Sequence, residues 1–178
     1  GIRDQPRSRG LGDVYKRQLI LWLSIAYLTY AEDSEFKVVS PKWTSNPPII
    51  DGQLDEASWQ SATIINDFVQ HEPTAGAPTD LKTNVYLLYD KNRLYVGFEC
   101  HKADMDKLMA NETRRDSRFF LDDYVAVYLD TYLDLRNCYG FELNALGTQT
   151  DRRVQNEGAN SGRRGSDMAW DCDWDGQA

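Results

Sequence analysis

The chain has 178 residues, 41% of them hydrophobic and 27% charged, enough for one domain with a real core and too apolar for a disordered chain. Its net charge is −8, and residues 1–18 carry five basic and two acidic groups, so the remainder is more acidic than the total. Such a body repels phosphate backbones, which excludes nucleic acid as an expected partner and leaves neutral ligands and divalent cations open.

Within residues 1–18, the run Gly10–Gln18 ("GLGDVYKRQ") resembles a translated library adapter, and the whole stretch is set aside as non-native. Leu19–Ala31 carries no charge. As a helix it spans about 20 Å, short of a bilayer core of about 30 Å. It reads as the hydrophobic region of a secretory signal peptide, with small residues before the polar "EDSE"; the alternative is a buried core helix. Export is therefore expected, to the periplasm or to the outer membrane and cell surface. No cysteine follows the cleavage region, so a lipid anchor is not expected there. The folded domain is expected over 36–178. It is expected to be incomplete, because the first methionine is Met105 and the sequence stops within an aromatic, acidic run at Trp174–Ala178.

Pro47–Trp59 ("PPIIDGQLDEASW") gathers three acids, a glycine and a tryptophan. Asp51-Gly52 is turn chemistry, Asp55 is expected to cap one or two helical turns, and Trp59 is expected to swing inward as a core plug. The rival assignment makes Asp51, Asp55 and Glu56 an acid/base group or metal ligands. Residues 63–70 read as a strand and 71–80 ("HEPTAGAPTD") as a loop. Residues 84–100 alternate with period two on both sides of "DKNR", which predicts a β-hairpin. A short helix is predicted over 104–115, strands over 123–130 and 138–144, and a loop over 156–167. No strand alternates with a long helix, so the fold class expected is all-β, an antiparallel β-sandwich of jelly-roll type.

The three cysteines, Cys100, Cys138 and Cys172, are too scattered for a disulfide framework or a metal site. One bridge with an odd thiol and three buried thiols both stay open. His71 and His101 lack zinc-site spacing, and no nucleophile elbow or phosphate loop occurs. Asp122-Asp123 cannot be a glycosidase pair, since strand neighbours point to opposite faces.

Three blocks in order, "PPIIDGQLDEASWQSA" (47–62), "VYLLYDKNRLYVGFEC" (85–100) and "DDYVAVYLD" (122–130), resemble carbohydrate-binding module family 9 and its broader relatives. "LDTYLDLRNCYGFELNALGTQTD" (129–151) is closer to one branch, found N-terminal to an outer-membrane-barrel-like region. The resemblance implies a non-catalytic β-sandwich that would lack its last strands here. It would bind an oligo- or polysaccharide through an aromatic platform, beside a catalytic or barrel domain outside this sequence, in the service of carbohydrate catabolism. Family members place a tryptophan just before the third block, where Phe120 stands here. The Gln-x-Arg sugar contacts of the family have Gly140 and Glu142 in their place, whereas Asn144 fits the pattern. Trp170 or Trp174 is the candidate second wall; a core role for both is the alternative. Relatives carry structural calcium, for which Asp130, Asp134 and Asp151 are the candidates, against solvated acids. No other cofactor is implied with certainty. Two further readings follow from relatives: a barrel-attached structural module without sugar binding, and a haem subunit using Met105, Met109 or Met168.

Overall fold

A computed structural model describes residues 37–102, 104–155 and 166–178. The adapter-like residues 1–18, the apolar run 19–31 and most of the loop 156–167 lie outside the described residues. Among the described residues no helix is long and apolar enough to cross a membrane.

The elements in chain order are β1 (Lys42–Trp43), α1 (Ala57–Gln60), β2 (Thr63–Ile65), β3 (Thr83–Tyr89), β4 (Leu94–Cys100), a 3₁₀ turn (Met105–Lys107), β5 (Tyr124–Leu129), β6 (Cys138–Asn144), β7 (Gln149–Val154) and β8 (Ser166–Asp167). They form two four-stranded sheets. This is the all-β sandwich that the alternating pattern predicts. In the first sheet β3 is central, with β4 on one side and β1 and β2 end to end on the other. The second runs β5-β6-β7-β8, antiparallel throughout. One pairing departs from expectation: β1 and β3 run parallel, Lys42 facing Leu88 and Trp43 facing Tyr89.

The predicted hairpin is β3–β4. Its turn is held by Asp90, whose Oδ1 accepts from the backbone of Asn92 (2.7 Å) and Arg93 (2.8 Å). The strand predicted over 63–70 is shorter, Thr63–Ile65, and beyond it only Val69 bridges to Pro78. The helix predicted over 104–115 reduces to the 3₁₀ turn, capped by the Asp104 side chain.

The acidic opening stretch builds backbone. Asp51 Oδ1 accepts from Gln53 N at 2.9 Å, and Gly52 takes φ +85°. The cap is Glu56, not Asp55: α1 begins at Ala57, and Glu56 sends its carboxylate back to Ile49 N at 2.8 Å instead of capping with its side chain. Trp59 is 4% exposed and packs with Leu88 and Tyr95 against Ile50, Leu54, Ala62 and Tyr86. Gly97 makes room for it, because a Cβ there would stand 2.8 Å from Leu54 Cδ2 and 3.3 Å from the Trp59 ring.

All three cysteines are free, Cys100 exposed and the other two half-buried, so neither the bridge nor the set of three buried thiols is found.

Candidate functional site

The register of the second sheet gathers one face from alternate residues of three strands. Tyr128 faces Gly140, which faces Arg152; Ala126 faces Glu142, which faces Thr150. A Cβ on Gly140 would stand 2.6 Å from Tyr128 Cε1 and 3.2 Å from Arg152 Cγ. The Tyr128 ring therefore lies across the glycine, the cross-strand packing by which an aromatic covers bare backbone. Its hydroxyl donates to Glu142 Oε1 at 2.6 Å, and Arg152 Nη2 donates to Glu142 Oε2 at 2.5 Å. Glu142 is 3% exposed while half of Tyr128 remains open. Burial first, then the hydrogen bond to Glu142 and its charge, push the Tyr128 hydroxyl well above the ordinary tyrosine range. It stays protonated and donating.

The segment before β5 is fastened over the other end of this face by side chains. Asp122 Oδ1 accepts from Asn111 N (3.0 Å) and Nδ2 (3.2 Å), and its Oδ2 from Glu112 N (2.9 Å) and Asn144 Nδ2 (2.9 Å). Thr150 Oγ1 donates to the Ser117 carbonyl at 2.7 Å. Phe119 is buried, its ring 5.6 Å from that of Tyr124. With Ser117 and Phe119 turned inward, Phe120 is left 79% exposed, with the Arg118 guanidinium 5.8 Å from its ring centre.

The backbone amide of Glu112, followed by Asn144 and Asn111, holds the Asp122 carboxyl below its ordinary value. A depressed carboxyl stabilises the fold at pH values above its unfolded pKa of about 4 and loses that effect as pH falls through the lower folded value. Asp122→Asn is therefore expected to lower the urea midpoint at pH 7 and to leave it unchanged near pH 2. An equal loss at both pH values would remove the carboxylate as the cause.

The sequence-derived candidates fall in different places. Asn144 is 1% exposed. Its Nδ2 also donates to the Glu112 carbonyl, and its Oδ1 accepts from the backbone of Leu146 and Thr148, so the amide is spent as a brace. Trp170 and Trp174 pack at the opposite face: Trp170 stacks 4.7 Å from Tyr139, and Trp174 lies 5.5 Å from Phe141. Strand neighbours alternate faces, so the structure does not bring the tryptophans together with Asn144.

Nor do the three aspartates gather into a calcium site. Asp130 accepts from Tyr132 N and Leu135 N, while Asp134 accepts from Arg136 N and from the backbone and side chain of Asn137. They fold the β5–β6 loop, in which Leu133 and Leu135 take φ 54° and 55°, a conformation that needs such outside support. Asp151 sits elsewhere, in β7, buried against Arg115 and Cys172 N. Burial pushes its carboxyl up. Among the described residues no group of three or more His, Cys, Asp or Glu side chains is placed to hold a metal ion.

Sequence reasoning missed Tyr128 and Arg152 and met Glu142 only as a departure. A signal was present: Gly-Phe-Glu occurs twice, at 97–99 and 140–142. Each time a tyrosine, Tyr86 or Tyr128, faces the glycine and donates to the glutamate. In the first copy Trp59 and Leu54 cover the glycine; in the second Tyr128 itself does.

No curated protein and no solved structure matches the chain. A family model described as carbohydrate family 9 binding domain-like matches residues 50–170, which takes in the opening stretch from Ile50 onward, Gly97 and Gly140, and the whole of the Tyr128 face. With well over half of its residues matched, the chain belongs to the carbohydrate family 9 binding domain-like family.

Proposed function

We propose that the chain is a non-catalytic carbohydrate-binding module that holds a sugar on the Tyr128 face of the second sheet, with Phe120 as the aromatic platform at its edge. The observation that carries this is the Tyr128 ring laid over Gly140, with Glu142 and Arg152 fixed beside it. A fixed, half-exposed ring offers an apolar surface to the C–H face of a pyranose. The Tyr128 hydroxyl oxygen and the part of Arg152 still in water are the polar groups beside it. Asn144 serves this face from beneath, through Asp122, while Trp170 and Trp174 belong to the packing on Phe141.

Catalysis is disfavoured by the state of the carboxylates. Glu142 is engaged at both oxygens, and Asp122 and Asp123 are held by backbone amides. A glycosidase needs one carboxyl free to give its proton and a second across a cleft. Export to the periplasm or cell surface follows from Leu19–Ala31 read as a signal. In that compartment the module would hold glycan for a catalytic or barrel domain in carbohydrate catabolism.

Titration calorimetry against a panel of mono- and oligosaccharides is expected to give saturable heat with at least one of them. Phe120→Ala is expected to weaken that binding about tenfold. A silent panel with a folded protein would sink the proposal in favour of a structural module.

A further inference from the structure

We infer that the sugar held on this face is acidic, with Arg118 taking the carboxylate or sulfate of a unit whose ring lies on Phe120. The inference rests on the reading of this face as a sugar site. Its basis is the inward and outward alternation of residues 117–120. Ser117 and Phe119 are buried, Ser117 tied by its carbonyl to Thr150 and Phe119 packed on Tyr124. Both outward residues, Arg118 and Phe120, are exposed, and the guanidinium stands 5.8 Å from the ring centre.

Among the described residues neither Arg118 nor Arg114, whose Nε donates to Ser117 Oγ, holds a carboxylate; of the two, Arg118 is the one that lies over an exposed ring. Arg115, Arg152 and Arg153 each hold a carboxylate. Among the described residues none pairs with Arg118, although the chain carries a net charge of −8. An arginine left without an acid in so acidic a chain, beside an exposed ring, is a cation placed for a charge that arrives with a ligand. Its planar fork matches carboxylate and sulfate oxygens two at a time. An anionic group attached directly to a ring stacked on Phe120 lies within reach of it. At physiological salt the acidic body is screened beyond about 8 Å, so it opposes a dense polyanion more than a single charged unit.

The test is calorimetric titration of the whole chain with three ligands sharing one backbone: a neutral oligosaccharide, the same carrying one uronate, and the same carrying one sulfate ester. An acidic ligand is expected to bind about tenfold tighter than the neutral one at low salt. That ratio should shrink as salt rises and collapse toward one in Arg118→Gln. The tighter of the uronate and the sulfate names the source of the anion. Equal binding of neutral and acidic ligands would overturn the inference and leave the sugar-binding reading standing. An acid preference that survives in Arg118→Gln would overturn the assignment to Arg118. A folded protein that binds none of the three would overturn this inference and the reading beneath it.

Discussion

Glu142→Gln is expected to cost about 3 kcal/mol of stability, although the replacement has the same shape and keeps an acceptor for Tyr128. Glu142 is 3% exposed, and Arg152 keeps only 19% of its side-chain surface in water. With the carboxylate gone, the guanidinium is left partly buried without its counter-charge, and breaking such a pair from one side costs more than the pair contributes. The estimate sits at the low end of that range because water still reaches part of Arg152. Urea denaturation checks it: the midpoint should fall with an unchanged slope. The double variant Glu142→Leu with Arg152→Met should recover most of the loss, since it removes both charges together. If the single variant were as stable as the parent, the ion pair would not be a buried one in solution. The glycan titrations should lose their heat in the same single variant, because Tyr128 no longer has a charged acceptor to fix its ring.

Trp59→Ala should be the most destabilising change in the core packed on the first sheet, at about 3–5 kcal/mol. The ring is 4% exposed, contacts Leu88 and Tyr95, and fills the space above Gly97. An alanine leaves a cavity under β3 and β4, and α1 is only four residues long, too short to reseat itself. Trp59→Phe, which keeps a flat ring in the same place, should recover more than half of the loss. Thermal unfolding of the three proteins decides the matter. A loss under about 1 kcal/mol for the alanine variant would mean that the tryptophan lies on the surface.

These two residues also mark what the sequence made legible. Trp59 could be read as a plug because a turn, a short helical start and a lone large ring stand close together. The β3–β4 and β5–β6 strands could be read because apolar residues alternate with period two. Asp55 is the cap the sequence points to, because aspartate is a preferred capping residue and glutamate is not; the helix starts one residue later, with the Glu56 carboxylate turned back to Ile49 N. Residues 111–122 look helical or featureless in composition, yet they are held in an irregular path with a turn at 114–116 by Asp122, Ser117 and Asn144, whose partners are 10 to 33 residues away. Bonds of that kind leave no periodic trace. Phe120 was found through its position before a recognisable block. Tyr128 was hidden because a tyrosine in an alternating strand reads as an ordinary surface residue until Gly140 is seen opposite it.

The fastening of the Tyr128 face has a thermodynamic corollary. Its ring is pinned by Glu142, Glu142 by Arg152, and the backbone under Phe120 by Ser117 and Asp122. Such a surface has little conformational entropy left to lose when something settles on it. The ordering penalty of association then falls almost wholly on the ligand. Short, stiff glycan units, which surrender few torsions, are the ones such a surface would retain longest.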